Sequence, residues 1–314
     1  MRPTILLLLL SLTTALHSTA LPRLTGIVAL PDFKRVVFES SPDVHSGPWP
    51  CIYAEGQRDR DVEFLAIDPD SWTLKMRNSG KDLTLTLIPP LEKDSPKPNI
   101  YLEDTPLLAA VLLYGELLGR TVLQSPLVPT VSRFTLQGAP TNRNEAAKLL
   151  EKLFRENEIV TIPDGEKFVL LVSKSQAAKV KPHSPASSNP QLISRAAGTN
   201  GSAVEQRPAT QAVSEIIPPG MIDFRGADLN PVMQLYAELL GGKVDRSQFP
   251  LRLQRKFPND DQFRQHPVYL LTQTAISKEE AIYAVETLTS WYGVKLEAAT
   301  NGLLKIVYLP PPDN

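Results

Sequence analysis

Apolar and polar positions alternate in short runs over the first part of the chain. Gly26 to Val28, Arg35 to Glu39, Cys51 to Ala54, Val62 to Ile67, Trp72 to Met76 and Leu83 to Leu87 are alternating or β-branched, the pattern of strands. Turn-forming residues separate them at Pro31-Asp32, Ser46-Gly47-Pro48, Asp68 to Ser71 and Asn78-Ser79-Gly80. Residues 21–90 are therefore read as a small all-β domain, a curled sheet or sandwich-like barrel. Leucine alternates with threonine from Leu83 to Leu87, which predicts one apolar and one wet face. The proline-rich stretch 91–98 breaks the pattern and is read as a linker.

The period then changes. After a short strand at Asn99 to Leu102, Leu107, Ala110, Val111, Tyr114 and Leu118 recur at helical spacing. Pro106 suits a first helical turn, Thr105 is the expected N-cap, and Gly119 closes the helix. Strands are expected near Thr121 to Leu123 and Arg133 to Leu136. Thr141 or Asn142 opens a second helix with Ala146, Leu149, Leu150 and Leu153 on its apolar face. A hairpin follows from Ile159 to Val172, turning at Pro163-Asp164-Gly165. Residues 99–173 thus read as βαββαββ. Residues 174–220 lose all period, are rich in Ser, Pro, Ala, Asn and Gln, and are read as a disordered linker.

Residues 221–309 repeat the order. Leu107, Leu113, Tyr114, Glu116, Leu117, Leu118 and Gly119 align without a gap on Leu229, Leu235, Tyr236, Glu238, Leu239, Leu240 and Gly241, at an offset of 122. In the second helix Glu145, Ala146, Glu151 and Leu153 align on Glu280, Ala281, Glu286 and Leu288, at an offset of 135. The difference is a 13-residue insertion placed between the middle strands, around Ser247 to His266. The repeat ends in Val294 to Ala298 and Leu303 to Val307, with a hairpin signal at Asn301-Gly302. Internal duplication is the firmest inference the sequence allows.

Composition narrows the setting. The chain has 314 residues, 42% hydrophobic and 21% charged, with a formal net charge of -1. Such a balance provides no global field for nucleic acid or anionic lipid. Twenty-nine prolines favour short domains with open connections. The one cysteine, Cys51, has no partner for an intrachain disulfide. Residues 1–20 carry Arg2, an apolar run from Ile5 to Leu10, and Ser18-Thr19-Ala20, the features of a cleavable signal peptide. A retained anchor is the competing reading, but the run is short for a span of about 20 residues. The expected location is the periplasm or the extracellular space.

The run Ile222 to Gly241, and Ser277 to Ala281 leading into the second helix, resemble the short periplasmic N-domains of bacterial secretins. Those are the outer-membrane pores of type II and type III secretion and of type IV pili. The resemblance covers both repeats and implies a KH-like arrangement, two helices on one face of a small sheet. The overall fold expected is α+β: a small all-β domain followed by two KH-like βαββαββ repeats. Gly26 to Val28, Arg35 to Glu39, Ile52 to Gly56, Val62 to Asp68, Asp70 to Leu74 and Leu83 to Leu85 follow a second known order. That region resembles the periplasmic β-domain of the type II secretion inner-membrane clamp protein and its pilus pilotin-like counterpart. In those families the domain contacts a secretin N-domain. The chain departs from secretins in stopping at Pro310 to Asn314, straight after the last strand, so it is not expected to form a channel alone.

No catalytic set is legible. His45, His183 and His266 fall in a linker or polar loops, and no metalloprotease, nucleophile-elbow or phosphate-loop motif occurs. Asp59, Asp61 and Glu63 alternate with Arg58 and Arg60 and read as a solvated charged turn rather than a cation site. Asp68-Pro69-Asp70 reads as a turn, Cys51 as a small core residue, and Tyr114, Tyr236, Trp291 and Tyr292 as packing residues. A KH-type GxxG clamp is missing after the first helices, which argues against nucleic acid. The insertion differs: Phe249, Arg252, Arg255, Phe257 and Phe263 are of the types enriched at interface hot spots. They form the expected docking surface; an ordinary long loop is the alternative. The expected function is non-enzymatic. An exported envelope protein would dock on other secretion-system or envelope proteins, a secretin among them, as an accessory or scaffold of a type II secretion or pilus-like assembly. No cofactor and no metal is expected. A secreted enzyme or small-ligand binder on an α+β scaffold is the other reading.

Overall fold

A computed structural model describes residues 23–39, 50–59, 61–89, 98–128, 132–180, 215–244, 268–299 and 303–309. The described chain is mixed α+β, and strands predominate. Among the described residues no helix is long and apolar enough to cross a membrane. The expected signal segment 1–20 lies outside the described residues.

Each alternating run of the first region is a strand: β1 (Arg23–Leu30), β2 (Phe33–Glu39), β3 (Pro50–Ala54), β5 (Val62–Asp68), β6 (Thr73–Asn78) and β7 (Lys81–Thr86), with a two-residue β4 (Arg58–Asp59). Ser79 and Gly80 join β6 to β7 with φ of 48° and 80°, the backbone of a type I′ hairpin turn. The Asp68 carboxylate caps its own turn by accepting from the backbone N–H of Asp70 at 2.8 Å and the hydroxyl of Ser71 at 2.6 Å. β7 buries Leu83 and Leu85 in part and exposes Lys81, Asp82, Thr84 and Thr86, as its alternation predicts.

The second region supplies β8 (Ile100–Pro106), α1 (Leu107–Leu118), β9 (Thr121–Gln124), β10 (Arg133–Gly138), α2 (Arg143–Glu156), β11 (Ile159–Asp164) and β12 (Phe168–Ser173). Strand pairing crosses the expected linker, of which Pro98 alone is described. β8 lies antiparallel to β1, with Gly26 opposite Leu102, Ile27 opposite Tyr101 and Val28 opposite Ile100. The result is one five-stranded antiparallel sheet in the order β10-β8-β1-β2-β3, beside a four-stranded sheet β4-β5-β6-β7. β9, β12 and β11 form a third sheet, in which β9 and β12 are parallel.

The five-stranded sheet is buried on both faces. Ile27, Val36, Phe38 and Tyr101 pack on Phe64, Ile67, Trp72, Leu74 and Met76 of the four-stranded sheet. Val28, Val37, Ile100 and Leu102 pack on α1 and α2, whose far side meets Ile159, Val169 and Leu171 of the third sheet. α1 and α2 therefore lie between two sheets, not on one face of a single small sheet as the resemblance implies. Double-sided burial explains why Ile27 to Leu30 and Val36 to Phe38 read as unbroken apolar runs. α1 is accordingly apolar over most of its surface, with nine of its residues buried.

Thr105 does not cap α1. The N-cap is Pro106, with no side-chain cap. Thr105 is buried in β8, and its hydroxyl donates at 3.0 Å to the carbonyl of Thr25. Thr25 sits at a β-bulge, where the β1–β2 register shifts between Leu24 and Gly26. The β1–β8 pairing ends at Gly26 opposite Leu102, which leaves the Thr25 carbonyl beyond that ladder, and a buried carbonyl needs a donor. Asn142 does cap α2, accepting from the Glu145 N–H at 3.0 Å.

A charge network ties the ends of four strands together. Arg133 of β10 grips Glu39 of β2 with both terminal nitrogens, at 2.8 and 2.7 Å, and directs Nε to Asp104 Oδ1 at 2.8 Å. Arg23 of β1 meets the other Asp104 oxygen at 2.8 Å. Hydrogen bonds from Arg23 first, and from Arg133, hold the Asp104 carboxyl below the usual carboxylate range. The Glu39 side chain is only 10% exposed, so removing Arg133 leaves a largely desolvated carboxylate without its main partner. Arg133→Ala is expected to cost about 2 kcal/mol, between the values for exposed and buried pairs, read as a lower urea midpoint. A midpoint equal to that of the unaltered protein would show the network to be energetically idle.

The expected linker 174–220 is structured at both ends. α3 (Lys174–Ala177) starts from a capping box between Ser173 and Gln176. β13 (Ile216–Ile217) pairs with β16 (Ile276–Ser277). Residues 181–214 lie outside the described residues. The second repeat continues with β14 (Asp223–Ala227), α4 (Leu229–Leu239), β15 (Val268–Leu271), α5 (Lys278–Trp291), β17 (Val294–Ala298) and β18 (Leu304–Tyr308).

Several backbone features of the described residues recur at the offsets of the sequence alignment. The parallel bridge Val244–Leu304 stands where Val122 pairs with Val169. Residues with positive φ recur at the same offsets: Asp104 and Gly226, Gly119 and Gly241, Glu158 and Gly293. Register also locates the insertion more closely. Leu102 pairs with Leu136, and its counterpart Phe224 pairs with Leu270. The β10–β15 offset is thus 134, so one of the 13 extra residues falls after β15 and not between the middle strands.

The two repeats share a core. Leu123, Phe168 and Leu170 turn away from α1 and α2 and join Val232, Tyr236, Ala281, Val285 and other residues of the second repeat. The Phe168 ring meets Tyr283 edge-on at 5.6 Å, Lys167 bonds Glu280 at 2.6 Å, and the Tyr283 hydroxyl donates to Asp164.

Candidate functional site

β14 is the strand from which a site can be built. It pairs with β15 on one side, Asp223 opposite Leu271, Phe224 opposite Leu270 and Arg225 opposite Tyr269. Among the described residues it has no strand on its other side. Thr272 donates its N–H to the Ile222 carbonyl at 3.1 Å. Successive residues of a strand turn their backbone groups to opposite edges. Ile222 and Phe224 thus serve β15, while Asp223 and Arg225 present N–H and C=O to the open edge.

Side chains alternate in the other plane. Ile222 is buried and Phe224 half-buried against the core of the second repeat. Asp223 and Arg225 are exposed on the opposite face and bond each other, Arg225 Nε to Asp223 Oδ1 at 2.9 Å. With Tyr53, Gln57, Arg58 and Asp59 they line an open cleft of about 460 Å³. The β3–β4 turn is rigid: Gly56 has φ of 78°, and Gln57 Oε1 accepts from the Ala54 N–H at 2.9 Å. Tyr53 stacks on Phe64 with ring centres 4.1 Å apart and donates its hydroxyl to Asp59 Oδ2 at 2.5 Å. Burial, and then the Asp59 carboxylate, push the Tyr53 phenol far above its ordinary value, which keeps it a hydrogen-bond donor. The cleft presents two guanidinium groups, two carboxylates and a phenol. Such a set binds polar groups by hydrogen bonds and ion pairs, and among the described residues it includes no thiol or imidazole.

In the first repeat the same strand edge is occupied. β8 is the duplicate of β14, and β1 lies along the edge that β14 leaves open. Ala29 donates its N–H to the Asn99 carbonyl at 2.8 Å, which places Ile27 and its partner Tyr101 with their backbone groups turned toward each other. The counterpart of Tyr101 is Asp223, and that of Glu103 is Arg225.

No protein-family model, no curated protein and no solved structure matches the chain.

The expected docking residues Phe249, Arg252, Arg255, Phe257 and Phe263 lie outside the described residues, as do His45, His183 and His266. Cys51 is half-buried in β3 opposite Phe38. Asp59 and Glu63 do not converge: Asp59 takes Tyr53, and Glu63 faces Arg77 at 3.5 Å. Among the described residues no group of three His, Cys, Asp or Glu is placed to hold a metal ion. Tyr114 donates to Glu151 at 2.8 Å, and its counterpart Tyr236 is buried beside Glu286. Burial first, and the carboxylate next, push both phenols well up, so the pair is a repeated packing feature. Tyr292 is buried and Trp291 partly so, both in the core of the second repeat. The pairing of Tyr53 and Asp59 with Asp223 and Arg225 was not expected from sequence.

Proposed function

We infer that the protein is a non-enzymatic docking component, exported to the periplasm or beyond, that acts as an accessory or scaffold of a type II secretion or pilus-like assembly. Its two duplicated units correspond to secretin N-domain-like repeats, and its first region to a clamp-protein β-domain. The observation that carries this reading is the pairing of β1 with β8. On this reading the first region, resembling a β-domain that contacts secretin N-domains, lends its strand β1 to β8 of the first repeat within one chain. The unit is built to receive a neighbour at that strand, and sheet-edge contact is a common mode of protein recognition. The polar cleft favours a second reading, a binder of a small polar ligand. Against it, Arg225 with Asp223 and Tyr53 with Asp59 satisfy each other across an open surface, whereas ligand pockets are concave and mostly apolar.

Capture of tagged residues 21–314 from mildly crosslinked envelope, followed by mass spectrometry, tests the docking reading. Enrichment of a secretin or an inner-membrane secretion subunit is expected, with loss on deletion of residues 247–266 if the insertion contributes. Recovery of the protein with no envelope partner would sink the docking reading and favour the binder.

A further inference from the structure

The two copies of the repeat differ at one strand edge, and the occupied copy shows what the open one accepts. We propose that the β14 edge away from β15, uncovered among the described residues, is a strand-addition site. Its ligand is an extended segment of another protein, lying antiparallel, with glycine opposite Phe224, a polar residue next, and an apolar residue opposite Ile222. The proposal rests on the docking reading above and adds the surface and the chemistry of its ligand.

Backbone geometry supplies the first argument. Asp223 and Arg225 direct N–H and C=O groups outward, as Tyr101 does toward Ile27 of β1. An incoming strand forms the same ladder, which is the affinity term in strand addition.

Close packing supplies the glycine. Gly26 stands opposite Leu102, and a Cβ on it would lie 2.3 Å from Leu102 Cδ2 and 3.2 Å from Val37 Cβ. Leu102 is fully buried and has little room to move. Phe224, half-buried and larger, takes the place of Leu102, so a side chain opposite it would press on the ring, and glycine avoids that contact.

The faces supply the other two positions. Val28, opposite Ile100, faces α1 and α2; its equivalent meets the core side of Ile222. Ile27, opposite Tyr101, is covered by the four-stranded sheet. At β14 that face carries Asp223 and Arg225 and opens on the cleft with Arg58, Asp59 and Tyr53. A side chain there meets charges and hydrogen-bonding groups where Ile27 meets a core. The charged pair also keeps the edge from joining edges at random, so the site selects a ligand that matches the cleft.

The test uses a fluorescent peptide with the sequence of residues 23–30 carrying Ile27→Thr, added to the full chain. Saturable binding below about 1 mM, a threshold near -4 kcal/mol, is expected. A peptide also carrying Gly26→Val should bind at least tenfold more weakly. The protein variant Arg225→Pro should lose binding, because proline removes an outward N–H that β15 does not use. Hydrogen exchange at Asp223 and Arg225 should be fast in the free protein and slow with peptide. Four results would overturn the proposal: no saturable binding, equal binding of the valine peptide, full binding to Arg225→Pro, or slow exchange at both amides without peptide. The last would mean that this chain or a second copy already covers the edge. If Arg225→Pro fails to fold, the two peptides on the unaltered protein still decide. Capture of an envelope partner that persists in a chain unable to bind the peptide would leave docking standing and place it elsewhere.

Discussion

A chain begun at Pro98 is expected not to fold, although it would contain both repeats entire. The cause lies in the cores, since α1 and α2 take much of their covering from outside the repeat. Val28, Leu30, Phe33 and Val37 are buried in the same cluster as Leu107, Leu113, Leu150 and Phe154. Burial of such a side chain contributes about 1.5–3 kcal/mol; four together come to about 6–12 kcal/mol. That matches the whole net stability of an ordinary domain, about 5–15 kcal/mol. The truncation also strips the β1 ladder from β8 and the Arg35–Glu116 pair, 2.6 Å long, from α1. It further takes Phe33 from beneath the Arg143 guanidinium, 4.9 Å away. Residues 98–314 should show no cooperative thermal transition by circular dichroism and should elute as aggregates. A monomer with a sharp transition would refute this account of the core.

The second large effect is expected at the join between the repeats. Phe168 is 5% exposed, and its ring packs with Leu123 and Leu170 on the second repeat. Phe168→Ala removes the ring and leaves a cavity, at a cost of about 3–5 kcal/mol; the edge-on contact with Tyr283 contributes to the loss. Because the cavity lies between the units, urea should then unfold the second repeat first. Amides of α5 should exchange well before those of α2, where the unaltered protein shows one transition. Equal loss of protection in both helices would mean that the repeats do not unfold separately.

Much of the local structure could be read from the chain. Short alternating runs bounded by turn residues became strands, and the helices ran where apolar spacing and Asn142 placed them. The matched runs Leu107 to Gly119 and Leu229 to Gly241 both contain a helix, α1 and α4, because each carries a similar apolar stripe. What escaped reading was non-local. No one-dimensional pattern says that Gly26 lies beside Leu102, and the expected boundary at 91–98 hid a sheet that continues past it. The unbroken runs at Ile27 to Leu30 and Val36 to Phe38 were a signal of burial on both faces, and Gly26 within such a run was a signal of close backbone approach.

Two local signals were misread. Thr105 looked like a cap because threonine before proline and leucine has that form, but a bulge carbonyl competed for its hydroxyl. Ser173 to Gln176 has the form of a capping box and was absorbed into a polar stretch. As for the cleft, Asp59 was seen as part of a charged turn, but Asp223 and Arg225 join it only through folding. Comparison of the duplicated strands held a clue. Where one has Tyr101 the other has Asp223, and a buried face in one copy became a wet face in the other.

The place of β1 has a mechanical consequence. Tension applied at Arg23 along the strand does not peel an edge, because β1 is flanked by β2 and β8. Both ladders are loaded in shear, and their hydrogen bonds must yield together instead of one after another. β18 differs: it pairs along its length with β17 and meets Val244 by one isolated bridge. A pull between Arg23 and β18 would therefore meet two ladders in shear at β1 and one at β18, so β18 should yield first.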